Sequence, residues 1–213
     1  MSKKNKSTER RFYSFKPTTE KREDGTAQIG GRPIVYNSPT DIGGWFREII
    51  LPGALDGADL RDVPLLVNHD DDMIPLARSR RNNGNSTMQL GIDDRGLTFS
   101  AEIDIARNAT AAELHSAIER EDVDGMSFAF TVENERWEGL ETDYPTRYIE
   151  KISKIYEISA VTFPAYESTD IYARSKEALE SARSAVDTAR QQQADGVETP
   201  NEVEILKTKI NIM

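Results

Sequence analysis

Between Phe12 and Tyr172 the chain is a succession of short apolar, β-branched runs, each closed off by Gly, Pro, Asn or Asp. Punctuation this frequent leaves little room for long helices, and runs of roughly four to eight residues have strand length. The predicted strands are Phe12–Phe15, Pro33–Tyr36, Phe46–Leu51, Val63–Asn68, Ile74–Arg78, Thr87–Ile92, Leu97–Ile103, Met126–Val132, Arg147–Ile158 and Ala160–Phe163. Between them lie Gly30-Gly31, Asn37-Ser38-Pro39, Gly43-Gly44, Asn82-Asn83-Gly84-Asn85 and Asp93-Asp94-Arg95-Gly96. Asp94-Arg95-Gly96 between two alternating runs predicts a hairpin. Strands at this density predict a barrel or sandwich, a mainly β (α+β) fold with flanking helices. One helix interrupts them, where Ala111, Leu114, Ala117 and Ile118 form a stripe that Asn108 or Thr110 caps. A shorter helix is predicted from Gly53 to Leu60.

Near Arg174 the texture changes to a Gly- and Pro-free stretch over 175–194, rich in Ser, Ala, Glu, Arg and Gln. Leu179, Ala182, Val186 and Ala189 give it a short heptad-like seam of small knobs, which suits a partner helix or a lone solvated helix. Asp195–Asn201 reads as linker. The expected organisation is a basic flexible arm over 1–24, a central domain over 25–174, and a helical and flexible tail over 175–213. Charge follows the same division. The chain carries 27 Lys+Arg against 37 Asp+Glu, net −10, with eight basic and four acidic residues in 1–24. The arm is either a contact for nucleic acid or an acidic partner surface, or a solvated terminus. The acidic body argues against binding to a nucleic-acid duplex and would instead attract basic peptide segments.

Composition removes several chemistries. Without Cys there is no disulfide, thiolate zinc site or thiol nucleophile, and two His cannot build a three-His metal site. No apolar run approaches a membrane span, and no apolar stretch follows the basic start, so neither a span nor a signal peptide is expected. The composition points to a soluble, intracellular, acidic protein.

Three segments hold chemistry. His69 ends the run Val63–His69, and alternation places it on the face of Val63, Leu65 and Val67, at a strand end beside a turn. That suits a partly shielded general base, or a histidine that only packs. His69-Asp70-Asp71-Asp72 also invites a metal reading, but adjacent strand residues diverge and no second ligand cluster stands out. In Gly125–Val132, Met126, Phe128, Phe130 and Val132 face the core, leaving Ser127, Ala129 and Thr131 on the other face. Ser127 is then either a rigidly presented nucleophile or a serine on a solvated face. The surroundings are not a Gly-x-Ser-x-Gly elbow. In Ile155–Ala165, Glu157 shares a face with Ile155, Ser159 and Val161. A carboxylate buried there needs a partner, which an imidazole N–H supplies; on an edge strand it would face water.

Taken together these segments resemble the prohead proteases of tailed bacteriophages, capsid-maturation serine proteases that share the herpesvirus assemblin fold. The resemblance covers roughly residues 28–172. It rests on Gly31–Asn37, Phe46–Leu55 with its Pro52-Gly53-Ala54, Leu65–Asp70 with Pro75–Arg78, Leu97-Thr98-Phe99, Asp124–Phe130 and Glu157–Tyr166, in that order. Pro75-Leu76-Ala77-Arg78 departs from the Pro-Ile-Gly-Arg common in relatives. The resemblance implies an assemblin-like closed β-barrel flanked by helices. It also implies a serine endopeptidase with Ser127 as nucleophile, His69 as base and Glu157 as orienter, needing no cofactor and no metal. The related assemblins use a second His as third member. His115 is the only other one, and it sits on the predicted helix, so Glu157 is favoured.

The implied substrate is the scaffolding region of the major capsid protein or a separate scaffold, with self-cleavage in the tail. The implied location is the host cytoplasm and then the interior of the prohead. A homodimer is a further expectation, with the Thr110–Glu119 helix at its interface or turned to the barrel. Two other readings fit the same residues: a non-enzymatic capsid-assembly factor that keeps the protease fold, and an unrelated acidic β-barrel binding module.

Overall fold

Ile149, Ile152, Ile155 and Ile158 are spaced three apart, yet side chains of a regular strand alternate with a period of two. In the computed structural model, which describes residues 8–13, 17–162 and 176–196, all four are buried in one core. They lie on one long strand, and its pairing shifts register between consecutive isoleucines. Each interval leaves one residue of this strand unpaired, Glu150, Ser153 or Tyr156, and that extra residue absorbs the odd step and returns the next isoleucine to the same face.

In chain order the elements are β1 (Glu9–Tyr13), β2 (Thr18–Lys21), β3 (Thr26–Val35), β4 (Thr40–Ile42), β5 (Phe46–Ile50), β6 (Asp62–Val67) and β7 (Ala77–Arg80). There follow β8 (Met88–Asp93), β9 (Gly96–Asp104), α1 (Ala109–Glu119), β10 (Gly125–Glu138), β11 (Thr146–Val161) and α2 (Lys176–Gly196). The strands form a seven-stranded sheet, ordered β1-β10-β11-β5-β4 with β6 joining β11 to β7, and a four-stranded sheet ordered β2-β3-β9-β8. The second is antiparallel throughout, whereas β5 and β6 run parallel to β11. The mainly β expectation therefore holds, with two helices among the described residues.

Most predicted strands are present, some extended. Arg147–Ile158 and Ala160–Phe163 are one strand up to Val161, because Ser159 pairs with Ser127 without a break. Phe163, the Pro164-Ala165-Tyr166 block, Ser14 and Phe15 lie outside the described residues. The hairpin at Asp94-Arg95 is there, and Gly96 after it is obligatory. Its φ is +132°, and a Cβ would stand 2.1 Å from the Ile34 carbonyl oxygen. The predicted helix over Gly53–Leu60 is instead a run of tight turns, in which Ala54, Asp56 and Ala58 donate to Leu51, Gly53 and Leu55. Gly53 and Gly57 take φ of +85° and +77°, which breaks right-handed helix.

α1 forms where its stripe predicted. Asn108 caps it through Ala111 N–H, and Ala111, Leu114 and Ile118 are buried. His115 is buried on the same helix with its Nδ1 2.7 Å from Thr19 Oγ1, so it pins α1 to β2. The seam of α2 does not remain solvated. Ala182 and Val186 pack on Ile42, Phe46 and Trp137, Ala189 is also buried, and Arg190 donates to the Leu140 and Thr142 carbonyls. Small knobs allow the helix to approach this aromatic patch closely.

The segment expected as a flexible arm contains β1 and β2. β1 is held by charge. Arg11 donates from Nε and Nη2 to Glu48 at 2.6 and 2.8 Å. Arg147 donates from Nη1 to Glu48 and Glu9 at 2.9 and 2.6 Å. Arg11 Nη2 also reaches Glu9 at 2.5 Å, and Arg147 pairs with Glu135. Arg11, Glu48 and Arg147 are all buried. Two guanidiniums among three carboxylates offset desolvation costs that neither sign could bear alone. The acidic partner of Arg11 lies within the chain itself, at Glu48, 37 positions away, where no local pattern points to it.

Two predictions follow from this packing. Burial would raise the Glu9 carboxyl, but Arg11 and Arg147 outweigh it and hold it at about 2, below its ordinary 4.5. A depressed carboxyl contributes stability that is complete above its unfolded value and is lost as the pH falls through the folded one. Wild-type protein should therefore lose urea stability between about pH 4.5 and 2 more steeply than Glu9→Gln, and equal slopes would refute the assignment. Val186→Asp should undock α2, costing about 2–3 kcal/mol and opening residues 176–196 to limited proteolysis.

Candidate active site

β10 carries Ser127 opposite Ser159 of β11, and Ala129 opposite Glu157. Cross-strand partners share a face, so Ser127, Glu157 and Ser159 lie on one side of the pair, while Met126, Phe128, Phe130 and Ile158 fill the core on the other. Tyr156 is the bulge residue between Glu157 and Ile155. Ile155 therefore does not share the face of Glu157, as strict alternation predicts, but returns to the core. The face itself is not solvated: Ser127, Ala129 and Thr131 are all buried.

β6 runs parallel to β11 and delivers His69. The strand stops at Val67, and Asn68 and His69 take left-handed φ of 53° and 59°. Two successive non-glycine residues in that region cost of order 1–3 kcal/mol each and must be held in place. Asn68 N–H donates to the Ala160 carbonyl at 2.9 Å, and its side-chain oxygen accepts from Thr162 N and Oγ1. The His69 N–H donates to Ser159 Oγ at 3.2 Å. The expected strand placement of His69 beside Val63, Leu65 and Val67 is therefore corrected. Those residues follow the sheet, and the left-handed step swings the imidazole over to the face of Ser127.

The result is a linear set. His69 Nδ1 lies 2.6 Å from Glu157 Oε1, and His69 Nε2 lies 2.6 Å from Ser127 Oγ. Ser159 Oγ donates to Glu157 Oε2 at 2.6 Å, so both carboxylate oxygens are engaged. An ionised carboxylate only accepts, so the proton between it and the ring belongs to Nδ1. A neutral ring then turns the Nε2 lone pair toward Ser127, the arrangement for drawing a proton off the hydroxyl. Ser127 and Ser159 are 0% exposed and Glu157 is 3% exposed, so these interactions act where water screens them little.

The structure thus brings together all three residues singled out in the sequence, His69, Ser127 and Glu157. It keeps His115 apart on α1. Ser159 was visible only as a same-face neighbour of Glu157, although a hydroxyl two residues from a carboxylate on a strand is the available signal. Arg11 had no signal. Its carbonyl oxygen accepts from Ser127 Oγ at 2.7 Å across 116 positions of sequence. Of the aspartates after His69, Asp70 accepts from Asp72 N–H and Asp71 pairs with Arg10. Among the described residues no group of three His, Asp or Glu is placed to hold a metal ion. A cavity of about 1090 Å³ lies between α2 and β10, lined by Glu135, Trp137, Arg147 and Ala189, and none of its lining residues belongs to this set.

Residues 15–183 match the family model of the Caudovirus prohead serine proteases. A curated relative, the prohead protease of Enterobacteria phage HK97, is 32% identical over 158 residues. The alignment covers 72% of this chain and 63% of that protein, so the chain spans less than two thirds of the relative's length. No solved structure matches the chain.

The geometry makes a graded prediction for reaction of Ser127 with a fluorophosphonate. Glu157→Gln puts an amide beside Nδ1 and permits the wrong tautomer, so labelling should slow by roughly 10³–10⁴. Ser159→Ala leaves the carboxylate its imidazole partner and should slow labelling about tenfold, with far-UV circular dichroism unchanged. Equal effects of the two would contradict the assignment of the ring contact to Glu157.

Proposed function

The chain belongs to the Caudovirus prohead serine protease family, and from that premise we propose that it is a serine endopeptidase of capsid maturation in which Ser127 attacks, His69 transfers protons and Glu157 orients. The observation that carries the reading is the line Ser127–His69–Glu157, with 2.6 Å at each junction and both ends buried. His69 Nε2 takes the hydroxyl proton as Ser127 Oγ attacks a peptide carbonyl. The imidazolium so formed is stabilised by Glu157, which Ser159 holds from its far side. The same ring returns the proton to the leaving amine, and the reverse cycle with water frees the acyl group. Backbone N–H groups would receive the oxyanion.

A non-enzymatic assembly factor would have no use for a left-handed histidine held against a buried carboxylate, and each of these features costs stability. The relative is named a prohead protease. We therefore assign as substrate the scaffolding region of a phage major capsid protein or a separate scaffold, with self-cleavage as a side reaction. Action would begin in the host cytoplasm and finish inside the prohead. We also read the two sheets, which pack over one shared core with β7 alongside β8, as an assemblin-like barrel.

Co-expression with the cognate capsid protein tests this. Wild type should shorten the capsid subunits, seen as a mass loss by intact-protein mass spectrometry, and Ser127→Ala should leave them full length. Shortened subunits with Ser127→Ala would remove Ser127 from the mechanism.

A further inference from the structure

The acidic body also carries a surface of the opposite sign. It lies on β6 and β7, at the end of β6 away from His69. In this antiparallel pair Asp62 stands opposite Arg80 and Pro64 opposite Arg78, while Val63 and Ser79 between them are buried. Asp62, Pro64, Arg78 and Arg80 therefore share the outward face. Arg61 precedes β6 and Arg81 follows β7, and the Arg81 N–H donates to the Arg61 carbonyl at 2.8 Å. Arg61, Asp62, Arg78, Arg80, Arg81 and Asn83 line a recess of about 430 Å³.

Two of these guanidiniums are already satisfied. Arg61 grips Asp59 through Nε and Nη2 at 2.8 and 2.7 Å, and Arg78 grips Asp62 in the same way at 2.6 and 2.8 Å. Hydrogen bonds from Arg61 and Arg78 hold the Asp59 and Asp62 carboxyls below their ordinary range, and the nearby charge of Lys154 adds to both effects. Arg80 and Arg81 are exposed. Arg80 faces Asp62, but both oxygens of that carboxylate already accept from Arg78. The Arg81 guanidinium has no ion pair or hydrogen bond among the described residues. Five cations against two carboxylates leave +3 here, in a chain of net −10.

The backbone that carries the two spare guanidiniums is fixed. Arg81 and Asn82 take left-handed φ of 59° and 50°. Asparagine tolerates that region, whereas an arginine there costs strain. The Asn82 side chain clamps the turn to β8, accepting from the Leu90 N–H at 2.8 Å and donating to the Leu90 carbonyl at 2.7 Å. Arg80 N–H donates to Ser86 Oγ at 2.8 Å. A partner that uses these side chains has little backbone to order on binding.

We propose, on the basis of the peptidase reading above, that this recess docks an acidic segment of the protein substrate away from the reaction site. Planar guanidiniums pair bidentately with carboxylates, as Arg61 and Arg78 do within the chain. A single exposed ion pair contributes little, so the segment presents two or more Asp or Glu side chains to Arg80 and Arg81. A nucleic-acid duplex fits worse, because it brings a dense line of phosphates against the acidic remainder of the chain. Along β6 and its exit, Asp62 lies roughly 20 Å from His69 at strand rise. A docked segment thus raises the effective concentration of a scissile bond at Ser127, provided about six or more extended residues separate the two.

Arg80→Glu/Arg81→Glu in the full chain tests this. At low salt, fluorescein-labelled hexaglutamate should bind wild type, and bind this variant at least about tenfold more weakly. Arg80→Gln/Arg81→Gly suits the left-handed turn and should weaken binding in the same direction, which keeps the test decisive where charge reversal disturbs folding. With the cognate capsid protein, charge reversal should slow subunit shortening at least about tenfold more than it slows fluorophosphonate labelling of Ser127, since only a protein substrate spans both places. Equal hexaglutamate binding by wild type and both variants would overturn the proposal, as would shortening and labelling slowed by the same factor. Tighter binding of a single-stranded oligothymidylate than of hexaglutamate, lost in the same variants, would assign the recess to nucleic acid instead. Failure of the peptidase reading is told apart in wild type: if it neither labels nor shortens the capsid subunits, that reading falls and the substrate assignment with it, whatever hexaglutamate does.

Discussion

The pairing of β10 with β11 is the constraint on which the rest depends. Its register sets Ser127 against Ser159 and Ala129 against Glu157, and the bulge at Tyr156 sends Ile155 back to the core. A slip of one residue would turn the serine and the carboxylate inward and expel Phe128 and Ile158. Burial of those large side chains, worth about 1.5–3 kcal/mol each, thus fixes the position of the polar groups on the opposite face. β6 then reads its place from β11, and its left-handed exit at Asn68 and His69 completes the line.

β1 connects two buried polar systems through one residue. The Arg11 carbonyl meets Ser127 while the Arg11 guanidinium meets Glu48. The charged network gives β1 a specific seat, since a strand without Glu9 and Arg11 would leave Glu48 and Arg147 with only each other and Glu135. Such networks cost desolvation, and here the charges that repay it also fix the place of β1 against β10. α2 packs on Ile42 of β4, Phe46 of β5 and Trp137 of β10, and so covers part of the seven-stranded sheet.

Much of this was legible in the residues. Turn clusters located most strands, the stripe of Ala111, Leu114 and Ile118 located α1, and alternation identified the core face of Met126–Val132. Local patterns carry these because they arise from neighbours in sequence. Where reasoning by alternation failed, the reason was a departure from regular backbone: the bulge at Tyr156, the left-handed turn at His69, and the left-handed Gly53 and Gly57 in place of a helix. β1 failed differently. Arg11 and Glu9 look like ordinary surface charge until Glu48 and Arg147 are brought beside them.

The sequence by itself determined the strand-rich class, the absence of thiol chemistry, and the short roster from which His69, Ser127 and Glu157 came. Composition and local period suffice for that, since they depend on which groups exist and how they repeat. Only the tertiary structure decided that these three meet in a line, that Ser159 braces the carboxylate, and that Arg11 lies across the serine. Those facts are contacts between residues 58 to 116 positions apart, with the exception of Ser159 and Glu157. They are set by strand register and by where buried charges find partners, which no local pattern encodes.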